Sequence, residues 1–472
     1  MTELTSLSTD RPTHYDAIII GSGQGGNPLA VAFSDKGKRA AMIERAAIGG
    51  TCVNYGCTPT KTMVASAELA YQARRAGEYG ITVGDVSVNM AAVRERKRGV
   101  VKSWREGSEK RLANAAQVEV IHGEASFSGP KEVRVRLNEG GERVLTSDLV
   151  VIDTGLTATI PPIRGIETVP YLDNVSIMEL GEVPEHLLVM GGGYIGLEFG
   201  QMFRRFGSRV TVVQRGKQLL AGEDEDIAEA VAAILREDGI EIFLEAEAES
   251  VTMQGGTIRL TGSLKGQPRT LEGTHLLVAT GREPNIKKLN LAAAGVATDE
   301  HGYIRVNDKL ETSVPGIYAV GDVNGGPAFT HVSYDDYRIL KANLLGGGKL
   351  TTTGRLVPWC LFIDPQFGRI GLSENEAKAQ GRTVRIAKMP MTSVARAVET
   401  GKTRGFMKAL VDSKTDEILG AAILGEGGGE IMSMIEIAMM GKLKYTALQN
   451  AVLAHPTLAE SLNNLFSKLP AK

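Results

Sequence analysis

The chain has 472 residues, three cysteines and a formal net charge of −2 at pH 7. This length exceeds what one hydrophobic core can organise, so about two to four domains are expected. A charge this close to zero predicts no general attraction to nucleic acid. The sequence contains no run of about 18 apolar residues, so no membrane span is predicted. Three cysteines are too few for a disulfide framework. We therefore expect a cytoplasmic protein, and the polar start of the chain predicts no secretory signal.

The first predicted unit is a strand, a glycine-rich turn, a helix and a second strand. Residues 15–20 form an apolar run typical of a buried parallel strand, and Gly-Ser-Gly-Gln-Gly-Gly follows at 21–26. A helix-like segment comes next, and residues 39–44 predict another strand, which ends at Glu44. This order is the context in which such a glycine motif binds a dinucleotide.

The glycines of this turn have separate physical tasks. Gly21 permits the tight turn, Gly23 lets the backbone approach a pyrophosphate, and Gly26 lets the helix pack closely on the strand. The start of the helix then offers N–H groups and a positive dipole end to phosphates. Glu44 is placed to accept hydrogen bonds from ribose hydroxyls.

The two cysteines that follow are five positions apart, at Cys52 and Cys57. Thr58 predicts a helix cap and Pro59 a first helical residue, so Cys57 lies near a helix N-terminus, where the dipole favours a thiolate. A disulfide that closes so short a loop adds little to the stability of the fold, which favours a redox role over a structural role for this pair. A zinc site is the alternative, although the sequence has no second pair of Cys or His at metal spacing.

A basic run, Arg-Glu-Arg-Lys-Arg at 94–98, comes next. Nucleic-acid binding is one interpretation, but the interspersed acids favour a solvated helix face. Residues 133–137 and 149–152 then predict strands.

A second nucleotide-binding unit begins about 170 residues after the first. The apolar strand 187–190 leads into Gly-Gly-Gly-Tyr-Ile-Gly at 191–196, in which Gly191, Gly193 and Gly196 occupy the fingerprint positions. A helix is predicted over 197–206 and a strand over 210–213.

The residues after that strand bear on which nucleotide binds. Gln214 stands where an acidic residue would favour NAD, and Arg215 and Lys217 follow. A neutral amide beside two cations accommodates a 2′-phosphate, so NADPH is favoured over NADH. The alternative is that Arg215 and Lys217 are solvated loop charges.

The chain changes character after about residue 346. Strands are predicted at 257–260 and 276–278, and three glycines at 346–348 predict a linker. Beyond it, Cys360 lies in a predicted buried strand, further strands follow, and residues 431–440 predict an apolar helix. This part is predicted to be a separate α+β domain.

Four further motifs complete a pattern. They are Asp-Thr-Gly at 153–155, Ala-Thr-Gly-Arg-Glu-Pro-Asn at 279–285, Ile-Tyr-Ala-Val-Gly-Asp at 317–322 and His-Pro-Thr-Leu-Ala-Glu at 455–460. With the two glycine motifs and the cysteine pair, nearly the whole chain resembles the class I pyridine nucleotide-disulfide oxidoreductases. The resemblance implies an α/β fold of two Rossmann-like dinucleotide-binding domains plus a C-terminal α+β dimerisation domain. The expected ranges are 1–155 and 281–345 for FAD binding, 156–280 for NAD(P) binding and 346–472 for dimerisation.

The resemblance also implies a mechanism. NAD(P)H reduces FAD, and the electrons pass to the Cys52–Cys57 disulfide, with Cys57 facing the flavin and Cys52 exchanging with the acceptor. His455 would manage the proton in the active site of a partner subunit, oriented by Glu460, so the resemblance implies a homodimer. The remaining roles follow by matching positions: an ion pair beside the flavin for Lys61 and Glu198, a gate over the nicotinamide for Tyr194, and cofactor binding for Thr51, Lys61, Gly123, Ala125, Thr154, Gly155, Gly281, Asp322 and Thr330.

The sequence leaves three hypotheses for the electron acceptor. The segment 329–338 and the C-terminal residues 460–466 look most like the mercuric-reductase-like branch, whereas mercuric reductases end in a cysteine pair and this chain has no cysteine after Cys360. The first hypothesis is reduction of a metal ion such as Hg(II) or Cu(II), or a similar small acceptor, with no resident metal. The second is a disulfide reductase, including one of the dihydrolipoamide dehydrogenase type, and the third is a redox-sensing flavoprotein.

Overall fold

The structure, a computed structural model, describes residues 12–471, so most of the stretch predicted to carry no secretory signal lies outside the described residues. Strands and helices alternate, as the two glycine-rich units predict. The strands are β1 Thr13–His14, β2 Ala17–Ile20, β3 Ala40–Glu44, β4 Val118–Gly129, β5 Glu132–Leu137, β6 Glu142–Thr146, β7 Val150–Ile152, β8 Leu156–Ala158, β9 Tyr171–Leu172, β10 His186–Met190, β11 Arg209–Gln214, β12 Glu241–Leu244, β13 Ala246–Gln254, β14 Thr257–Leu264, β15 Gln267–Gly273, β16 His275–Val278, β17 Arg282–Pro284, β18 Ile317–Ala319, β19 Trp359–Leu361, β20 Gln366–Gly371, β21 Val384–Pro390, β22 Phe406–Asp412 and β23 Ile418–Gly425.

Several of the helices begin at a predicted site residue. They are α1 Gly26–Ser34, α2 Gly50–Asn54, α3 Cys57–Arg74, α4 Met90–Ala113, α5 Tyr194–Phe206, α6 Glu225–Glu237, α7 Leu291–Ala294, α8 Thr330–Leu345, α9 Glu374–Ala379, α10 Ala395–Glu399, α11 Gly428–Met440, α12 Tyr445–Gln449 and α13 Ser461–Phe466, with short 3-10 turns at Ala76–Tyr79, Ile166–Thr168, Ser176–Glu179, Gly321–Asn324 and Met391–Ser393. Among the described residues, no helix combines the length and hydropathy needed to cross a bilayer.

The chain forms two compact units. Unit A contains the described residues up to Pro59 with Arg98–Thr157 and Arg282–Arg355, and its eight-stranded sheet has the order β1-β6-β5-β4-β3-β2-β7-β18. The five strands from β4 to the edge strand β18 are parallel. Side chains of β2 alternate between two apolar clusters, because successive residues of a strand point to opposite faces.

Parallel strands place their carboxyl ends at one edge of the sheet, where ligands of such folds bind. In unit A this edge collects the turn after β2, Glu44 at the end of β3, Asp153 directly after β7 and Gly321 shortly after β18. The predicted FAD-binding residues are therefore brought together from segments that lie far apart in the sequence.

Unit B contains Thr60–Lys97, Ala158–Gly281 and the described residues from Leu356 onwards. Its first sheet, β12-β11-β10-β16-β9, is parallel and carries the second glycine motif after β10. A three-stranded antiparallel sheet, β13-β14-β15, accompanies it. The C-terminal sheet, β19-β20-β23-β22-β21, is antiparallel, and α11 packs against β20 and β23. The predicted α/β class with a C-terminal α+β domain is confirmed.

Element boundaries differ from the sequence-based expectations at a few places. The helix after the cysteine pair begins at Cys57 itself, so Thr58 and Pro59 are its second and third residues and Thr58 does not precede it as a cap. Proline is tolerated there because the first N–H groups of a helix have no partner within it. The helix after the second glycine turn likewise begins at Tyr194, inside the motif, and the strand predicted at 257–260 extends to Leu264.

Candidate active site

The first glycine turn of unit A is closed by contacts that only glycine allows. Gly21 has φ +102°, and a Cβ there would lie 2.2 Å from the Asp153 carbonyl oxygen. A Cβ at Gly26 would lie 2.7 Å from the Gly21 carbonyl oxygen, and one at Gly23 would lie 2.7 Å from Asp153 Oδ2. The start of α1 therefore packs directly on β2 and β7, and the backbone N–H groups of its first turn lie at the ligand-binding edge.

Glu44 supports this turn from the end of β3. Its Oε2 accepts hydrogen bonds from the Ser22 backbone N–H at 3.0 Å and from Ser22 Oγ at 2.7 Å, and Oε1 accepts one from the Ala46 N–H at 2.8 Å. A carboxylate has about four acceptor positions, so these bonds orient Glu44 and leave room for a ribose hydroxyl.

Several polar groups around the turn fit a bound dinucleotide. Among the described residues, Thr154 Oγ1 and both amide atoms of Asn27 are buried without a hydrogen-bond partner. Such atoms cost free energy unless a polar group satisfies them. Asp322 is held by Arg282 Nη1 at 3.1 Å, and burial raises the pKa of its carboxyl. The unpartnered polar atoms of Thr154 and Asn27 therefore fit a dinucleotide such as FAD at this edge.

Other predicted cofactor residues are placed as follows. A Cβ at Gly123, on β4, would lie 2.6 Å from the Arg136 carbonyl oxygen, so packing against β5 also requires glycine there. Ala125 is buried on the same strand, and Gly155 has φ +63° two residues after Asp153. Gly281, with φ +156°, is the last residue of a segment of unit B.

The cysteine pair is fixed to the glycine turn by α2. Gly50 has φ +64°, and a Cβ there would lie 2.7 Å from the Gly23 Cα, so the helix that carries Thr51 and Cys52 starts against the turn. The Asn54 amide secures α2 by donating to the carbonyl oxygens of Ile48 at 2.9 Å and Gly50 at 3.0 Å.

Cys57, the first residue of α3, contacts the start of another helix. Its Sγ lies 3.3 Å from Thr330 Oγ1, the first residue of α8. Because α8 follows β18, this contact puts the Cys57 sulfur at the edge that holds the glycine turn. The predicted catalytic residues Cys52 and Cys57 and the predicted cofactor residue Thr330 thus all lie in unit A, on elements at that edge.

Lys61 and Glu198 form the predicted ion pair within unit B. Lys61 Nζ donates to Glu198 Oε2 at 2.6 Å and lies 4.7 Å from the centre of the Phe362 ring. Glu198 Oε1 accepts the Phe362 backbone N–H at 2.8 Å. The carboxylate is therefore held from two sides, and it fixes the position of the ammonium.

The second glycine turn repeats the close packing of the first. Gly191 has φ +111°, and a Cβ there would lie 2.3 Å from the Ala279 carbonyl oxygen. A Cβ at Gly196 would lie 2.1 Å from the Gly191 carbonyl oxygen, whereas Gly193, the residue before α5, has open space around it. The turn therefore exposes backbone at Gly193, where a pyrophosphate can approach.

Of the three residues predicted to select the nucleotide, one supports the turn and two face solvent. Gln214 Oε1 accepts the Gly192 N–H at 3.0 Å, and its amide nitrogen donates to the Gln218 carbonyl oxygen at 3.3 Å. Arg215 and Lys217 are exposed, and neither forms an ion pair within residues 12–471.

Tyr194 stands at the start of α5 beside this turn. Its ring is 41% exposed and lies 4.8 Å from the Trp359 ring, which in turn packs edge-on against buried Phe367. Burial of the hydroxyl, with the nearby Glu223 carboxylate, raises the pKa of Tyr194 to about 12. Tyr194 is thus a neutral, partly exposed aromatic residue whose ring packs against Trp359.

His455 and Glu460 form a dyad in unit B. His455 Nδ1 lies 2.9 Å from Glu460 Oε2 and 3.1 Å from Oε1. The imidazole is 67% exposed, so Nε2 is available to solvent or to another molecule. A carboxylate on Nδ1 selects the tautomer and orientation of the ring, which is the arrangement of a general acid–base.

A group of carboxylates elsewhere in unit B has metal-like spacing. Asp224, Asp226 and Glu374 lie together, and the buried Lys408 ammonium donates to them at 2.9, 2.7 and 2.7 Å. The lysine provides the positive charge that balances these carboxylates, so the group is a buried ion-pair network.

Comparison with known sequences decides the family. The profile described as pyridine nucleotide-disulphide oxidoreductase matches residues 15–336, and the dimerisation domain of the same family matches residues 357–466. The chain belongs to the pyridine nucleotide-disulphide oxidoreductases. It is therefore an enzyme of this family, and the family implies FAD and a pyridine nucleotide.

Individual members of the family resemble the chain over nearly all of its length. The probable pyridine nucleotide-disulfide oxidoreductase RclA of Escherichia coli K12 is 37% identical over 457 residues, which cover 96% of this chain and 99% of that protein. A mercuric reductase of Staphylococcus aureus is 35% identical over 97% of this chain and 83% of its own length. The solved Cu(II) complex of the HOCl-induced flavoprotein disulfide reductase RclA of Escherichia coli superposes with a TM-score of 0.89 at 36% identity, over 96% of this chain and 99% of that one.

Sequence reasoning missed several residues that shape the enzyme's site. Asp153 Oδ2 accepts the Gly26 N–H at 2.6 Å, Arg282 holds Asp322, and Trp359 supports Tyr194. Asp153 and Arg282 lie inside quoted motifs, so their position next to the glycine and aspartate motifs was the available signal. No local pattern marks Trp359, because its contact with Tyr194 joins two distant segments.

Proposed function

We propose that this enzyme oxidises NADPH and passes the electrons through FAD and the Cys52–Cys57 pair to a soft metal ion such as Cu(II) or Hg(II), or to a similar small electrophile. The observation that carries the proposal is the 3.3 Å contact of Cys57 with Thr330, because it sets the sulfur at the dinucleotide edge of unit A. Two thiolates form a ligand pair suited to soft metals. Similarity to mercuric reductases and to a flavoprotein solved as a Cu(II) complex supports this acceptor class.

The side chains divide the work as follows. FAD, when bound, supplies a two-electron relay between the pyridine nucleotide and the cysteine pair. Two electrons and one proton open the disulfide to a Cys57 thiolate and a Cys52 thiol, and Cys52 then meets the acceptor. Lys61, held by Glu198, supplies a fixed positive charge for the thiolate and the cofactor, and Tyr194 covers the nicotinamide position.

Reduction of a small or protein disulfide is the second candidate. The His455–Glu460 dyad favours it, because thiol–disulfide exchange must return a proton to each leaving sulfur, whereas a metal ion needs none. A redox-sensing flavoprotein would not need this dyad together with the Lys61–Glu198 pair.

The proposed homodimer rests on unit B. The outer face of α11 and the following turn leave Ile437 68% and Met440 69% exposed, with Met434 and Leu443 also exposed. This face belongs to the segment that matches the family's dimerisation domain, and large apolar patches on soluble proteins mark interfaces. In a dimer, exposed His455 would serve the cysteine pair of the partner subunit.

An acceptor panel separates the candidates. The purified protein, supplied with NADPH, is assayed with Cu(II), Hg(II), oxidised glutathione, lipoamide and a protein disulfide. We expect NADPH oxidation with the metal ions at more than about ten times the kcat/KM of any disulfide. Turnover with a disulfide alone would support the second candidate function, disulfide reduction. No turnover with any acceptor would favour a redox-sensing flavoprotein.

Nucleotide preference gives a separate prediction. The double change Gln214→Glu with Arg215→Gly is expected to shift the NADPH/NADH ratio of kcat/KM toward NADH by about tenfold to a hundredfold, because a carboxylate repels the 2′-phosphate and a cation is lost. Arg209→Gly is a matched control, because its exposed guanidinium lies on the same strand and pairs with Glu241 at 3.2 Å. An unchanged ratio in the double variant would contradict the NADPH assignment.

A further inference from the structure

Asp153 is a buried carboxyl group inside the wall of the first glycine turn. Its Oδ2 accepts the Gly26 N–H at 2.6 Å, and the side chain also lies against Gly23 and Gly321, where a Cβ would come within 2.7 Å of Oδ2 and 3.2 Å of Oδ1. Its backbone N–H donates to the Ile20 carbonyl oxygen at 2.8 Å. The glycine turn and the loop after β18, which both border the predicted pyrophosphate position, therefore lie against this one carboxyl group.

The surroundings of Asp153 are electrostatically unfavourable for a negative charge. Burial raises the pKa of Asp153 well above its usual range, and the carboxyl groups of Asp322, Asp336 and Glu44 raise it further. The nearby cations form ion pairs with other carboxylates: Arg282 pairs with Asp322 at 3.1 Å, and Arg355 pairs with Asp336 at 2.6 Å. No basic side chain within residues 12–471 forms an ion pair with Asp153.

A bound pyrophosphate would add to the electrostatic repulsion on an ionised Asp153. Its phosphates would lie at the start of α1, and Gly26, the first residue of that helix, already gives its N–H to Asp153. An ionised carboxylate at this place would oppose the phosphate charges in a buried site, where screening by salt is weak. A neutral carboxylic acid keeps the Gly26 hydrogen bond, adds an O–H donor and removes the repulsion.

We propose that Asp153 is a proton-linked positioning residue, which holds the glycine turn for FAD as the neutral acid and weakens FAD binding when it ionises. The inference rests on FAD occupying this turn, which is part of the proposed function. By linkage, FAD binding then takes up a proton wherever the pH lies between the pKa of Asp153 without FAD and its higher pKa with FAD. In that window affinity falls as pH rises, and below it affinity is independent of this group.

The test is the FAD dissociation constant of the wild type and of Asp153→Asn between pH 6 and 9.5. It is measured from the fluorescence of FAD released when the holoprotein is diluted. Asparagine has nearly the same shape, and its amide stays neutral. We expect the wild-type dissociation constant to rise by up to about tenfold per pH unit within the window, and the ratio of wild type to variant to rise with it. Titrating groups that do not interact with Asp153 contribute equally to both proteins and cancel in the ratio, so the ratio reports Asp153 together with its coupling to Glu44 and Asp322.

Two further measurements make the result decisive. Asp148→Asn, whose side chain is 94% exposed in the same unit, should follow the wild-type pH profile. Calorimetry of FAD binding to wild-type apoprotein, in two buffers of different ionisation enthalpy, should detect uptake of up to one proton, and it needs no variant to fold. A ratio that is constant with pH, or no proton uptake, would overturn the role of Asp153 while FAD still binds. A protein that binds no FAD at all would instead overturn the proposed function.

Discussion

Replacing Cys52 by serine is expected to lower kcat/KM with every acceptor by at least about a thousandfold, because a serine hydroxyl neither exchanges with disulfides nor binds soft metals as a thiolate does. The same variant should keep long-wavelength charge-transfer absorbance, since Cys57 would remain as a thiolate without a disulfide partner. Both readouts come from one anaerobic sample, first scanned and then mixed with acceptor.

Cys360→Ala is the matched control for the cysteine prediction. Cys360 lies half-buried on β19, and burial raises the pKa of its thiol to about 12, so it is not a thiolate near neutral pH. This variant should turn over within a few-fold of wild type. Loss of the charge-transfer band in Cys52→Ser would contradict the assignment of Cys57 to the flavin side.

Replacing His455 by glutamine is expected to lower turnover with a disulfide acceptor by about a hundredfold to ten-thousandfold, the usual contribution of a general acid–base. The rate of the initial, transient loss of flavin absorbance after mixing with NADPH should stay unchanged, because this first hydride transfer precedes the opening of the disulfide and needs no thiol protonation. Stopped-flow absorbance without acceptor, and steady-state turnover with it, measure the two halves separately.

The chain offers a close control for this histidine. His301 also lies beside a glutamate, with Nε2 3.6 Å from Glu300 Oε1, and it is 73% exposed. His301→Gln should leave both rates unchanged. Equal losses in the two half-reactions of His455→Gln would contradict a role confined to the protons of the thiols.

Local patterns explain why much of the site could be predicted from the sequence. A strand, a glycine turn and a helix are neighbours in the chain, so Gly21, Gly23 and Gly26 could be assigned before any contact was known. The structure gives physical reasons for these glycines: Gly21 has a left-handed φ, and a Cβ at Gly26 would lie only 2.7 Å from the Gly21 carbonyl oxygen.

Contacts between distant segments could not be predicted in the same way. Asp153 and Gly26 are 127 positions apart, and the Phe362 N–H that holds Glu198 is 164 positions away from it. The first pair follows from strand order, which places β7 next to β2 and which no local periodicity encodes. Gln214 illustrates the same limit, since its hydrogen bond to the Gly192 N–H gives it a second role, in supporting the second glycine turn.

The central claim, that electrons pass through the Cys52–Cys57 pair, is tested most directly by anaerobic titration of the wild-type protein with NADPH. We predict that the first electron pair produces long-wavelength charge-transfer absorbance while the main flavin band largely persists, because the disulfide has accepted those electrons. Only a further electron pair should then bleach the flavin. Bleaching by the first electron pair, with no charge-transfer absorbance, would contradict a redox-active disulfide between Cys52 and Cys57.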